Sequence, residues 1–500
     1  MISSLRKAFF ALSVKTIDPK NASALASSKL HFHIYSNEAE LETLSSNNPE
    51  LQQWISSEIK EKALDNVLFI QNNQRHYLIK QKPVKGSLID HRQATRKLIE
   101  QILATSESLK AEEANVNYLT IAENTLPWTI YYLNYLSFKY TNKDKTPEPI
   151  LKTVNLITDK TIDTQVSKFI EELTLAKNEA RELLNYRADE FTPNFFVEYA
   201  ENFAKEFGLK FRAFKDTQLL DEGLRLVYAV GKGAANKPAM ISIEYFGDKK
   251  DQSQELESPV VALVGKGITF DTGGVNLKPT GFVEEMFFDK GGACAVFAAF
   301  KAAVRLGLKK NIVLVIPLAE NSCGGNSYRP SDIIKSHKGL TVEITNTDAE
   351  GRLILADAMS WVQSNYKVGT LIELSTLTGA CVVALRDKFA GLFSNDEELS
   401  NNIKKSGELF GEDFWPMPLN EDIKAGLGGG VSDLVNSTGN RFGGAIEAAE
   451  FLHYFVDEGV SWAHLDIAGM VVDKDIKYNK ANKSLASGFG VSTLLSLLSK

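Results

Sequence analysis

At 500 residues the chain exceeds the roughly 250–300 at which a single hydrophobic core stops growing, so at least two domains are expected. Its 44% hydrophobic and 24% charged residues are ordinary globular composition, and a net charge of -7 argues against a chain built mainly to hold nucleic acid. No apolar run reaches the ~18 residues a membrane span needs, and Cys294, Cys323 and Cys381 are too few and scattered for a disulfide framework or a thiolate zinc site. A reducing compartment, the cytoplasm, is the expectation, with each cysteine a small buried apolar residue.

The N-terminal segment offers Arg6 and Lys7 before a short apolar stretch, Ala8 to Val14. Lys15 and Asp18 interrupt it, so it reads as an opening β-strand in preference to a leader peptide. His31 to Tyr35 and Val67 to Ile70 read as strands, and Gln93 to Lys110 as an amphipathic helix. Thr141 to Pro149 has the polar, proline-containing chemistry of a break. Ile162, Val166, Ile170, Leu173, Ala176, Ala180 and Leu184 then recur at three- and four-residue spacing, which predicts one long helix capped by Asp163 or Thr161. The expected division is an N-terminal α/β domain over 1–155, a linker helix over 156–190 and a catalytic domain over 191–500.

Strands and helices alternate from about residue 192. Strands are expected at Val260–Val264, Ile312–Leu318, Val342–Thr345, Thr370–Ser375 and Ala463–Ile467. Helices at Gly291–Leu306, Gly351–Ser364 and Gly444–Phe455 fall between them, and Gly426–Gly430 reads as a loop. Continuous apolar strands are covered on both faces, so the fold class is α/β, an αβα sandwich around a mixed, mostly parallel sheet.

Two segments depart from core composition. Val264-Gly265-Lys266-Gly267-Ile268-Thr269-Phe270-Asp271-Thr272-Gly273-Gly274, with Lys278 and Asp289 beyond, puts charge and glycine after a buried strand, where open α/β sheets bind ligands. Asn346-Thr347-Asp348-Ala349-Glu350-Gly351-Arg352-Leu353 precedes an apolar helix. On an extended turn Asp348 and Glu350 can face one point, beside a helix N-terminus suited to an anion. Alone, each segment reads as a turn or a cap. Together, Asp271, Asp289, Asp348 and Glu350 would repel strongly without cations, and two divalent metals ~3.5–4 Å apart resolve that conflict. No histidine lies in either segment, the nearest, His337, belonging to a separate loop. Chemistry alone therefore points to a carboxylate metal site in a hydrolase or phosphoryl-transfer enzyme.

The run Asn346 to Leu353 resembles the signature of the leucyl (cytosol) aminopeptidase family. Val264 to Gly274, Lys278, Asp289, Leu377-Thr378-Gly379-Ala380 and Trp462 to Gly469 match its other segments, so that the resemblance covers roughly residues 180–500. It implies a two-metal aminopeptidase that removes N-terminal residues from peptides, preferring apolar ones such as leucine. Lys266, Asp271, Asp289 and Glu350 would hold one metal. Asp271, Asp348 and Glu350 would hold a more exchangeable one, Asp348 also through its backbone carbonyl. The metals would be Mn²⁺ or Zn²⁺, with Mg²⁺ also compatible, and a hydroxide between them would be the nucleophile. Lys278 would stabilise the oxyanion, and Arg352 would hold a bicarbonate that moves the proton. Met286, Thr376 and Gly379 would line the side-chain pocket. The family is hexameric, so a homohexamer acting on peptides is implied. Lys290 departs from the family pattern and puts an extra charge beside Asp289, while Phe287 and Phe288 are expected to narrow the pocket. His464 and Asp466 read as structural polar groups. Rival readings are a DNA-binding or regulatory protein on this scaffold and a two-metal phosphoesterase.

Overall fold

A computed structural model of the chain describes residues 13–17, 30–35, 66–71, 74–80, 88–118, 126–138, 140, 152–157, 163–248, 259–478 and 483–500. The chain separates into two compact units, Met1–Leu175 and Ala176–Lys500. Residues 1–12 and the expected break at 141–149 lie outside the described residues.

The first unit holds a six-stranded sheet of β1 (Ser13–Ile17), β2 (Leu30–Tyr35), β3 (Asn66–Gln71), β4 (Gln74–Lys80), β5 (Glu113–Tyr118) and β6 (Thr153–Ile157). Its order is β1-β6-β5-β2-β4-β3, parallel except for the β3–β4 pair. Asn155 on β6 donates to Asn115 on β5 at 2.9 Å, which satisfies two buried amides inside the sheet. The helices Leu88–Ser108 and Leu126–Ser137 pack on each other. The first begins five residues before Gln93, because its N-terminal turn carries no apolar repeat strong enough to mark it in sequence.

The expected long helix runs Thr164–Asn185 and crosses the division between the units. Asp163 caps it, accepting from the Gln165 and Val166 amides at 2.8 and 3.2 Å.

In the second unit the main sheet is built from β7 (Lys210–Lys215), β8 (Ala239–Phe246), β9 (Val260–Gly265), β10 (Gly267–Asp271) and β11 (Asn311–Asn321). After β12 (Ile333–Lys335) and β13 (Thr341–Glu343), it continues through β14 (Val368–Ser375), β15 (Ala390–Ser394) and β16 (Phe414–Pro416). Past β17 (Leu434–Val435) comes β18 (Ser461–Asp466), and the order is β16-β15-β18-β14-β9-β11-β8-β7, with β10 pairing β11. The central pairs β18–β14, β14–β9 and β9–β11 are parallel, whereas β15–β18, β11–β8 and β8–β7 are antiparallel. The sheet is therefore mixed, with a parallel centre.

Alternation along β9 explains the layering. Val260, Ala262 and Val264 share one core with Leu353, Leu355, Met359 and Val362 of the helix Glu350–Asn365. The helix Gly291–Leu306 also packs on β9 and β14, and Leu263 is fully buried between the alternating positions. Gly292 makes that packing possible, since a Cβ there would lie 2.0 Å from the Leu374 carbonyl oxygen. The helix thus begins directly against the carboxyl end of β14.

One strand expectation needs correction, and one strand went unread. Val342–Thr345 is not a strand of the main sheet; only Thr341–Glu343 is extended, in a small sheet ordered β12-β13-β17. Gly267–Asp271 is a strand in its own right, since β11 runs on to Asn321 and offers β10 a parallel edge. Cys294 and Cys381 are buried as expected, but Cys323 is exposed in the loop after β11. Among the described residues, no helix is long and apolar enough to cross a membrane.

Candidate active site

The carboxyl ends of the parallel strands deliver the charged residues to one cleft of about 610 Å³. Lys266 follows β9, Asp271 ends β10, and Asp289 follows the 3₁₀ turn Met286–Phe288. Asp348 lies in the turn ahead of the helix Glu350–Asn365, of which Glu350 is the first residue. All ten residues singled out in the sequence line this cleft, including Lys278, Met286, Arg352, Thr376 and Gly379. Leu277, Phe282, Val382 and Val471 add apolar wall.

Two lysines cross-link the carboxylates. Lys266 Nζ lies 2.8 Å from Asp289 Oδ1 and 2.9 Å from Glu350 Oε1, and donates to the Thr376 carbonyl at 3.1 Å. Lys278 Nζ lies 2.8 Å from Asp271 Oδ2 and 2.5 Å from Asp348 Oδ1. Gly351 leaves room for the first of these bridges, because a Cβ there would come within 2.7 Å of Lys266 Nζ. Asp289 is further fixed by the Thr376 hydroxyl at 2.7 Å.

Four carboxylates against two ammonium groups leave the cluster short of positive charge. Burial, with Glu350 and Asp289 nearby, holds the Asp271 carboxyl well above its usual range. Burial likewise pushes Asp289 up to about 6 against the pull of Lys266, and raises Asp348. For Glu350 the burial penalty is outweighed by Lys266 and Lys278, and its pKa falls. Burial opposes the charge on Lys266, but Asp289, Glu350 and Asp271 prevail and raise its pKa.

A metal fits this donor set. Asp271, Asp348 and Glu350 each offer an oxygen within 4.8 Å of the others. Asp289 Oδ2 and Glu350 Oε2 are buried without any hydrogen-bond partner, an expensive arrangement unless a cation takes their lone pairs.

Several supporting residues escaped the sequence reading. Asn321 donates to Asp271 Oδ1 at 2.7 Å and to the Thr347 carbonyl at 3.0 Å, tying β11 to both metal-site segments. Thr347 bonds Gly273 O and Asn276, while Tyr328 donates to Thr347 O at 2.7 Å. Asn436 accepts from the Thr345 and Asn346 amides and donates to Asn346 O. A polar residue closing the apolar run of β11 was the available signal for Asn321. Asn436 had none, lying some 90 positions from its partners.

Arg352 is 8% exposed in the first helical turn. Its Nη1 donates to Asn436 O at 2.8 Å and to Glu447 Oε1 at 3.3 Å, and its Nε is buried without a partner. An unsatisfied guanidinium donor on a residue that lines the cleft fits a small anion.

Lys290 is wholly buried and turned from the carboxylates. Its ammonium donates to Tyr186 O at 3.0 Å and to Phe287 O, over the Phe191 ring, and burial lowers its pKa to about 7. Phe288 lines the cleft, but Phe287 does not; it packs under the Arg187 guanidinium, 3.8 Å from its ring centre. The expected narrowing therefore comes from Phe288 alone. His464 is buried against Glu373 at 2.5 Å, and Asp466 holds the Leu377 amide and Thr378 hydroxyl, so both are structural as read, Asp466 shaping the pocket loop. His337 bonds Asp357 and Ser360 outside the cleft.

A buried carboxylate cluster at the carboxyl ends of a parallel sheet, fitted for metal, marks a metal-dependent enzyme. Residues 178–495 match the cytosol aminopeptidase family, catalytic domain. A probable cytosol aminopeptidase of Aquifex aeolicus is 39% identical over 73% of this chain and 72% of its own length. One from Hydrogenovibrio crunogenus is 39% identical over 70% and 71%. The solved structure of the bottromycin maturation enzyme BotP in complex with Mn covers 95% of this chain and 99% of its own, with a TM-score of 0.78 and 27% identity. The chain belongs to the cytosol aminopeptidase family, and it is a metal-dependent exopeptidase acting on peptides.

Proposed function

We propose that this aminopeptidase removes apolar N-terminal residues, leucine among them, from peptides, using two Mn²⁺ or Zn²⁺ ions. One observation carries the reading: Asp271, Asp348 and Glu350 converge within 4.8 Å at the floor of a cleft walled by Leu277, Phe282, Met286 and Phe288. Lys266, Asp271, Asp289 and Glu350 would hold one ion, Lys266 only as the neutral amine that the ion's own charge would enforce, and Asp271, Asp348 and Glu350 would hold the other. Mg²⁺ also suits so oxygen-rich a set. When bound, the ions would supply Lewis acidity and the means to lower the pKa of a water.

The chain's own residues do the rest. The substrate's free α-amine would bind one of the ions these carboxylates hold, and an N-acylated peptide has no such group to offer. Met286, Thr376 and Gly379 border the first side chain, and thioether and ring surfaces favour an apolar one. Lys278, 16% exposed at the cleft wall, donates to the developing oxyanion. Arg352, with its unpartnered Nε, would hold a bicarbonate, which would supply a base for the proton transfer to the leaving amine. A panel of aminoacyl anilides and dipeptides tests the reading. Leucyl and methionyl substrates should lead, N-acetyl-leucyl anilide should resist, and equal cleavage of the acetylated substrate would refute it.

We also propose a cytoplasmic homohexamer, with residues 1–155, 156–190 and 191–500 as N-terminal domain, linker helix and catalytic domain. The reading rests on the family resemblance, closed symmetry being usual for soluble homo-oligomers. Light scattering should return about six times the 55.3 kDa chain mass, and a micromolar monomer would exclude the assembly.

A further inference from the structure

The Arg352 guanidinium is held from behind by a carboxylate that never reaches the cleft. Arg352 lines the cleft; Glu447, in the first turn of the helix Gly444–His453, does not. Glu447 Oε1 accepts from Arg352 Nη1 at 3.3 Å, Ser437 Oγ at 3.0 Å and the Thr438 amide at 3.3 Å. Its Oε2 accepts from the Thr438 hydroxyl. With its side chain 6% exposed and four donors around it, this carboxylate is buried, charged and fixed.

Two physical effects follow. Together with Asn436 O, Glu447 occupies Nη1, so the guanidinium plane is set and its Nε edge stays free. The same negative charge also cancels much of the field with which Arg352 draws an anion, and the screening there is weak because both groups are buried. We propose that Glu447 is a positioning residue that fixes Arg352 with its Nε left unpartnered for a small planar anion, while weakening the capture of that anion. The inference rests on the proposed anion role of Arg352 and deepens it: this chain trades anion affinity for a rigid, pre-oriented holder.

The test separates charge from hydrogen bonding. E447Q keeps an acceptor oxygen for Arg352 and Ser437 but removes the charge. Binding of ¹³C-bicarbonate is read by NMR line broadening, using Zn²⁺-loaded protein freed of excess metal, at a pH where bicarbonate predominates. The dissociation constant should tighten roughly tenfold in E447Q, the scale of deleting one weakly screened charge a few ångströms beyond the anion. The bicarbonate concentration that half-maximally stimulates peptide hydrolysis should fall by the same factor, with KM for peptide unmoved. E447T removes the charge and also the contact to Nη1, so its constant should tighten less than that of E447Q, and a folding failure of either variant leaves the other to be compared with the parent. If parent and variants bind bicarbonate equally, Glu447 has no such role and the Arg352 anion site stands. If none binds it while leucyl peptides are still cleaved, the anion site and this inference both fall, and the aminopeptidase reading remains.

Discussion

Stripping the enzyme of metal should abolish peptide cleavage, and Asp271→Asn should come close to the same loss with metal present. Metal ions contribute several kcal/mol of transition-state stabilisation, and ~1.4 kcal/mol is tenfold in rate, so a fall of about 10³-fold or more is expected. Asp271 is the sensitive position because every one of its contacts is polar and fixed. Oδ1 accepts from the Gly273 amide at 2.8 Å and the Asn321 amide at 2.7 Å, and Oδ2 faces the Lys278 ammonium. An asparagine must turn its NH₂ toward one of these donors, so the variant loses a bridging charge and gains a donor–donor conflict in a buried site. Both ions should be lost, which elemental analysis of the dialysed variant would register. Asp348→Asn should be milder. Its side chain is 34% exposed and contacts Lys278, so solvent can absorb the change and only the second ion should weaken. Restoring Mn²⁺ or Zn²⁺ to stripped parent enzyme should recover the rate. Full activity in chelator-treated, metal-free protein would remove the basis for the mechanism.

The parts of this structure readable in sequence were those whose cause is local. β9 and the middle of β11, Ile312 to Leu318, announce themselves as unbroken apolar runs because both faces of the sheet are covered. The long helix Thr164–Asn185 was visible from its spacing and its Asp163 cap. The candidate metal-site residues stood out because charge and glycine after a buried strand are poor core material. What stayed hidden depends on partners distant in the chain. β10 reads as a loop until β11 is known to extend far enough to pair with it. Thr345 is β-branched and follows Val342, yet the strand stops at Glu343 because Asn436 takes over the Thr345 and Asn346 amides. Lys290 appeared to charge the site, but a lysine's four-carbon reach let it bury its ammonium against the Tyr186 and Phe287 carbonyls on the far side. Glu447 looked like any helical glutamate, and only the fold sets it behind Arg352.

Arg352→Ala should separate proton transfer from metal binding. The guanidinium touches none of the four carboxylates of the metal cluster; its ties are to Asn436 O and Glu447. Both ions should therefore remain bound, while kcat drops by the ~10²–10⁴-fold typical of losing a general base, with KM little changed. Stability should also fall, for a reason independent of catalysis. Removing Arg352 leaves Glu447 buried with only Ser437 and Thr438 as donors, and breaking a buried pair costs about 3–5 kcal/mol. The double variant R352A/E447A removes both charges and should recover part of the lost melting temperature without recovering rate. That combination distinguishes a catalytic holder from a structural ion pair, since a purely structural Arg352 would regain activity along with stability. Added bicarbonate should stimulate the parent and leave R352A unmoved. A variant as responsive as its parent would mean that the anion binds elsewhere, and Arg352 would then serve only to anchor the turn around Asn436 and Glu447.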